Sequence, residues 1–348
     1  MVRSPLFSRR VHIAGSVSQS GQIASAEEVI AARAFLAELV GELVRRGANF
    51  VIPVDAKKIR PDGLEITFDW LVWKALSENL ANRPEGSRDP LAIAVQHHKT
   101  EGQIPLEHEE LWDDLRVSDR VYIENVAHWN MGSKRIEAQA RWGDVLLTLG
   151  GGEGVLHAAN LYHEAGKPVV PLNFELCDRD EGSRRLFQLG MSRDGAEKLF
   201  RTTDRNAHPW INRINFTNRT SRTERVRTVI DLLEALDRPK AFAVRLLNTT
   251  HADFADVDGY FETVVSPFVG DVLGHDLVVV DGKQPYDYAR VDQEIFEKLH
   301  RSSLVVADVT GSRPNCFLEL GYALAITLLI DKPTNRKSRL EGVVLERR

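Results

Sequence analysis

The stretch Asp144-Val145-Leu146-Leu147-Thr148-Leu149-Gly150-Gly151-Gly152-Glu153-Gly154 decides the fold. Val145 to Leu149 is apolar but for one threonine, the pattern of a strand covered by helices on both faces. Glycines at 150, 151, 152 and 154 then stop it. Without Cβ atoms, such a turn takes conformations closed to other residues and lets backbone N–H groups approach a ligand closely. A helical stretch from about Val155 to Ala165, the stop Gly166 and a strand from Pro168 to Leu172 follow. Together they make one strand, helix, strand unit of a parallel sheet.

Toward the N-terminus the same pattern recurs. Val11-His12-Ile13-Ala14 is a short strand ending at Gly15-Ser16. Ser25 with Glu28 forms a capping box, and Val29, Ile30, Phe35, Leu36, Leu39, Val40, Leu43 and Val44 repeat with helical period until Arg45-Arg46-Gly47 closes the helix. Phe50 to Val54 is the next strand, and Leu91 to Val95 and Val121 to Ile123 read as further ones. Toward the C-terminus, Cys177 to about Arg238 is polar and helical. Past Pro239, Ala241 to Val244 and Leu304 to Asp308 are strands, with a weaker one at Val278 to Val280, and helices over Val291–Leu299 and from about Asn315 to Leu324. The expected fold class is α/β: two Rossmann-like parallel-sheet domains, 1–176 and 239–348, joined by a helical segment, 177–238.

Composition narrows the function. A chain of 348 residues exceeds what one hydrophobic core usually organises, so two domains are expected. A net charge of −5 argues against broad capture of nucleic acid. A small anionic ligand in a local pocket suits it better. Cys177 and Cys316 supply neither a disulfide framework nor a thiolate metal site. The N-terminus has no apolar signal core and the chain no membrane-length apolar run, so a cytoplasmic location is expected, with neither membrane nor nucleic acid as partner. The spacings of His97-His98 and His108-Glu109-Glu110 match no metal motif, and no metal site is expected. Trp70, Trp73, Trp112 and Trp129 read as packing residues, since no basic runs separate them.

Two candidate sites remain. In the first domain, Gly15 and Ser16 end one strand and Gly151, Gly152, Glu153 and Gly154 follow another, both at the carboxyl edge where open parallel sheets bind ligands. Lys134 and Arg135 open an intervening helix and suit phosphate. Ile13-Ala14-Gly15-Ser16, Met131-Gly132-Ser133-Lys134-Arg135 and Gly151-Gly152-Glu153-Gly154 resemble the SLOG superfamily, which includes the Lonely-Guy-type nucleotide phosphoribohydrolases, over about residues 10–175. Where those hydrolases carry threonine and a catalytic glutamate, this chain has Val155 and Ala158. The resemblance therefore implies binding without cleavage, nearest to the sensor branch that recognises NAD-derived cyclic nucleotides. That branch is often joined to NAD-consuming domains in bacterial antiviral systems.

In the second domain, Asp308 ends a buried strand and Glu319 lies in the following helix, where a carboxylate can stabilise the positive charge that builds at C1′ when an N-glycosidic bond breaks. Leu304 to Thr310 followed by Pro314-Asn315-Cys316-Phe317-Leu318-Glu319-Leu320-Gly321-Tyr322-Ala323 resembles the nucleoside 2-deoxyribosyltransferase-like and TIR-like group over about residues 240–330. The resemblance implies that Glu319 is the ribosyl-directed residue. Arg313-Pro314-Asn315 stands where the transferases carry an acid, which argues against base exchange. Arg313 and Asn315 are instead candidate contacts to a nucleotide, with Tyr286, Tyr288 and Tyr322 as candidate stacking residues. The expected function is a nucleotide-regulated N-glycoside hydrolase acting on NAD or a related nucleotide, with no cofactor required, switched by homo-oligomerisation and serving antiphage defence. The alternatives are a non-catalytic nucleotide-binding module and a phosphoribohydrolase acting from the first domain.

Overall fold

The computed structural model describes residues 4–56, 58–85, 87, 90–97, 102, 104–128, 130–201, 207–217, 219–236, 240–272, 275–280, 295–296, 298–299, 302, 304–310, 314–330 and 341–345. The chain divides into two compact units, one spanning Leu6–Leu236 and one built on Asp237–Arg348. Both are α/β with parallel sheets.

The first unit holds six strands: β1 (Arg10–Ser16), β2 (Asn49–Pro53), β3 (Ala92–His97), β4 (Val121–Val126), β5 (Val145–Gly150) and β6 (Val169–Leu172). Their order is β4-β3-β2-β1-β5-β6, and every pairing is parallel. β5 is buried at all six positions, as a strand covered on both faces must be. The helices are α1 (Ala26–Arg45), α2 (Asp69–Asn79), α3 (Glu109–Arg116), α4 (Met131–Trp142) and α5 (Glu153–Glu164).

α1 starts where the capping box places it. The Ser25 hydroxyl accepts from the Glu28 N–H, and the Glu28 carboxylate accepts from the Ser25 N–H, each at 3.2 Å. Its apolar stripe, Val29, Phe35, Leu36, Leu39, Val40, Leu43 and Val44, is buried. Ile30, grouped with that stripe in the sequence, is exposed, because one residue past Val29 turns the side chain about 100° off the core face. Trp70, Trp73 and Trp112 are core residues, and Trp129 lies outside the described residues. The indole N–H of Trp70 donates to the Asp55 carbonyl at 3.0 Å and that of Trp73 to the Pro53 carbonyl at 3.3 Å, which ties α2 to the end of β2.

The polar segment after Cys177 is helical: α6 (Gly182–Gly190), α7 (Arg193–Phe200), α8 (Ala207–Arg213) and α9 (Arg222–Leu236). Phe187, Phe200, Ile211, Val229, Ile230 and Leu233 from these helices enter the same apolar core as α1. Charged residues are frequent in them because only one stripe of each helix faces inward.

The second unit contains β7 (Lys240–Val244), β8 (Asp276–Val278), β9 (Leu304–Asp308) and β10 (Glu341–Leu345), ordered β10-β9-β7-β8 and parallel throughout. Helices α10 (Phe254–Tyr260) and α11 (Pro314–Ile330) belong to it. Most of the stretch read as a helix over Val291–Leu299 lies outside the described residues, as do Tyr286 and Tyr288. Among the described residues no helix is long and apolar enough to cross a membrane.

On the other face of β1, His12 is wholly buried and its Nδ1 lies 3.2 Å from the Tyr162 hydroxyl. Burial pushes the imidazole down to about 3, so it is neutral throughout the physiological range. An unfolded chain takes a proton at this residue below about 6.5, which the folded chain refuses. Stability is therefore full above about 6.5 and falls as the pH drops toward 3, by up to about 1.4 kcal/mol per pH unit. Urea unfolding of wild type and His12→Leu across pH 7 to 4 checks this. The variant is expected to lose about 1 kcal/mol at pH 7 but to show a shallower acid limb; parallel curves would remove His12 from the acid response.

Candidate functional site

In the first sheet the chain grows outward from β1 through β2, β3 and β4, then returns to place β5 on the other side of β1. The topological switch therefore lies between β1 and β5, and it is beyond the carboxyl ends of such a pair that open parallel sheets bind ligands. The register pairs Ser16 with Gly150, so both candidate loops begin at one point.

Glycine is required there for three separate reasons. A Cβ on Gly15 would stand 1.9 Å from the Leu149 carbonyl oxygen, so only glycine lets the strand ends pair. Gly150 and Gly151 have φ of +64° and +79°, in the left-handed region that side chains avoid. The Gly151 N–H donates to the Ser16 carbonyl at 2.7 Å, which locks the turn onto β1. Gly182, at φ +45°, closes the turn from beneath, and a Cβ there would meet the Gly151 and Gly150 carbonyl oxygens at 2.1 and 2.5 Å. The neighbouring Ser183 hydroxyl accepts from Thr148 Oγ1 at 2.9 Å and donates to the Leu172 carbonyl at 2.8 Å, pinning α6 in place.

Above the turn the structure is open. Nothing lies within 4 Å of a Cβ built on Gly152, and α5 starts there with no side-chain cap; Glu153 and Gly154 are exposed. α4 likewise begins without a side-chain cap on Asn130. Two helix starts thus lie at the carboxyl edge without a capping side chain, and their partial positive charge favours an anion. Of the two cations, Lys134 is exposed and paired with Glu137 at 2.5 Å. Arg135 is mostly buried and pairs with Asp55, just beyond β2, at 2.8 Å.

Two carboxylates that the sequence reading passed over complete this edge. Burial works to raise the Asp55 pKa, but the Arg135 hydrogen bond and charge and the Ala56 N–H outweigh it, so the group titrates below its ordinary value. Asp69, the first residue of α2, is pushed up to about 7. Burial is the main cause, Arg135 opposes it, and the charges of Asp55 and Glu65 add to it. Asp55 showed one sequence signal, its place just past a strand end. Asp69 showed none, because its burial and the Arg135 charge beside it come from the fold and not from its own segment.

Among the described residues, Glu65, Glu107 and His108 bring a ligand atom each within 4.8 Å of one another. Glu65 is already paired with Arg33, and the His108 ring stacks on Trp70 at 4.6 Å. A cation there would compete with a guanidinium.

In the second unit the switch point lies between β7 and β9, with Val244 beside Ala307. Asp308 is buried at the end of β9, where its Oδ1 accepts from the Thr310 N–H at 3.1 Å and hydroxyl at 2.6 Å, closing the turn. Arg245, just past β7, pairs with Asp258 at 2.6 Å. Glu319 sits half-buried in the second turn of α11, and Asn315 is exposed in its first turn. Tyr322 packs its ring 4.6 Å from that of Phe296. Arg313 lies outside the described residues.

Comparison with known proteins adds a family. The family model described as ATP nucleosidase Cap17-like, N-terminal, matches residues 6–233, which is the first unit nearly end to end. Two curated relatives, both named ATP nucleosidase Cap17, one from Escherichia coli (strain KTE188) and one from Escherichia coli, are each 24% identical over 184 residues. The match covers 51% of this chain and 35% of theirs, so it spans about a third of the relatives' length. Among solved structures, the X-ray structure of TM1055 is 17% identical with a TM-score of 0.36, covering 65% of this chain and 99% of that one.

The contrast between two glycines tests the turn. Gly182→Ala is expected to cost about 2–4 kcal/mol, since its Cβ meets backbone that cannot swing aside. Gly152→Ala should stay within about 1 kcal/mol of wild type. Urea denaturation measures both, and equal losses would contradict the packing described.

Proposed function

The chain belongs to the ATP nucleosidase Cap17-like N-terminal family, and from that premise we propose that it is a nucleotide-regulated N-glycoside hydrolase of antiphage defence. The observation that carries the reading is the glycine turn at the β1–β5 switch, whose open side faces an uncapped helix start. A phosphate or diphosphate placed there accepts backbone N–H groups and the favourable end of the α5 dipole. The relatives' name, ATP nucleosidase, supports a nucleotide as the bound molecule. An NAD-derived cyclic nucleotide is our proposal for the signal.

The first unit binds without cleaving. Val155 and Ala158, where the SLOG-type hydrolases carry threonine and glutamate, are both buried in α5, so neither position offers a group to the crevice. Cleavage falls to the second unit. Glu319 is half-buried on α11, beyond the carboxyl end of β9, which suits a carboxylate facing a ribose. As the bond from C1′ to the base breaks, the electron pair leaves with the base and positive charge spreads over C1′ and the ring oxygen. An ionised Glu319 stabilises that charge until water adds. Asp308, tied into its turn by Thr310, holds the end of β9 in position. NAD or a related nucleotide is the substrate in this reading, Asn315 and Arg313 contact it, and association of several copies is the switch.

Cleavage of NAD and of ATP, followed by chromatography with wild type and Glu319→Gln, tests the assignment. The variant should lose about a hundredfold or more in kcat while keeping its affinity for nucleotide. Equal turnover in the two proteins would take Glu319 out of the mechanism. Binding with no product from either would favour a purely binding module.

A further inference from the structure

One carboxylate at the carboxyl edge of the first sheet has acceptor capacity that its protein partners leave unused. Asp55 lies just past the end of β2, and β2 flanks β1 on the side away from β5. Two strand spacings, about 10 Å, separate the ends of β2 and β5. That is close to the extended length of a ribose 5′-diphosphate.

Helix α4 ties the two ends together. Its Ile136 packs with Val155 of α5, and a Cβ built on Gly154 would lie 3.9 Å from the Ile136 Cδ1. The preceding residue, Arg135, pairs with Asp55 at 2.8 Å. Neighbouring residues of one helix therefore touch both the start of α5 and the Asp55 carboxylate, which fixes that carboxylate beside the glycine turn.

The hydrogen bonds at Asp55 fill half of what it can accept. An ionised carboxylate has about four lone-pair sites on its two oxygens. Among the described residues Oδ2 accepts from Arg135 at 2.8 Å and Oδ1 from the Ala56 N–H at 2.9 Å, one donor for each oxygen. Those partners hold the group in one orientation, and the side chain keeps 24% of its surface open to solvent. Burial works against its charge, but the Arg135 hydrogen bond and charge outweigh it and keep the group ionised at neutral pH.

Two adjacent acceptors suit two donors on neighbouring carbons. The 2′,3′-diol of a ribose supplies such a pair, and a hydroxyl donating to a carboxylate makes a strong, charge-assisted bond. We infer that Asp55 receives the ribose diol of the nucleotide whose phosphates lie on the glycine turn, an assignment that rests on reading that turn as a phosphate site. Arg135 offsets the carboxylate charge, so a diphosphate two strands away is not driven off. The site then reads the sugar and is indifferent to the base. A cyclic nucleotide signal closed through either hydroxyl oxygen of that ribose would be refused.

Calorimetric titration of the full chain with ADP, 2′-deoxy-ADP, 3′-deoxy-ADP and inorganic pyrophosphate tests this. Wild type should bind each deoxy form about tenfold or more weaker than ADP, the loss of one hydrogen bond to a charged group. Asp55→Ala should bind the three nucleotides within about threefold of one another, and pyrophosphate, which has no ribose, should still bind. Asp55→Asn, which keeps an oxygen for Arg135 but loses the charge, should shrink the ratio in the same direction. A purely structural Asp55 would instead weaken all three nucleotides by one common factor. Equal affinities in wild type, or a ratio unchanged in both variants, would overturn the inference, while bound pyrophosphate would leave the phosphate turn standing. Failure of pyrophosphate and of every nucleotide to bind would overturn the phosphate reading along with it.

Discussion

The approach of Gly15 to the Leu149 carbonyl is the constraint on which the first unit depends. A Cβ would leave 1.9 Å between atoms, so β1 and β5 can run side by side to their ends only because residue 15 has none. That pairing brings Ser16 opposite Gly150, and the Gly151 N–H then finds the Ser16 carbonyl. The left-handed backbone at 150 and 151 turns the chain into α5 immediately afterwards. The turn is thus a consequence of strand packing, and Gly182 and Ser183 support it from below by fixing α6 against it.

Much of this was legible in the sequence because it rests on local chemistry. The buried run of β5, the glycine cluster, the Ser25 capping box and the strands beginning near Val11, Phe50, Leu304 and Ala241 each carry their own signal within a few residues. Ile30 marks where pattern reading slips, since an apolar residue one step past the stripe counts toward composition but not toward the core. The helices after Cys177 show the complementary limit. Their charged residues draw the eye in the sequence, whereas the residues that place them, such as Phe187, Phe200 and Ile211, acquire meaning only against the core they share with α1.

Asp55 and Asp69 were hidden for a different reason. A carboxyl's chemistry depends on what surrounds it, and here the surroundings come from α2, α4 and the loop after β2. Arg135 was read as a phosphate contact because a helix-start arginine suits that role. In the structure its Asp55 partner orients it, and any anion must share the guanidinium with that carboxylate. Lys134, paired with Glu137 on its own helix and exposed, is the more dispensable of the two cations.

The two units are both parallel sheets with a switch point, though differently ordered, and they present different chemistry there. At β1 and β5 the first unit offers backbone N–H groups and helix starts, which attract anions, with the Asp55 carboxylate already neutralised by Arg135. Beyond β9 the second unit offers Asp308 and Glu319, which repel a free phosphate but suit a ribose whose bond to its base is breaking. Binding phosphate and opening a glycosidic bond need fields of opposite sign. In the function proposed above, placing them in separate sheets lets each be built without weakening the other. Arg245, just past β7, bears on the charge of that edge as well: its pairing with Asp258 holds a cation one residue beyond the point where Val244 lies beside Ala307, next to the end of β9.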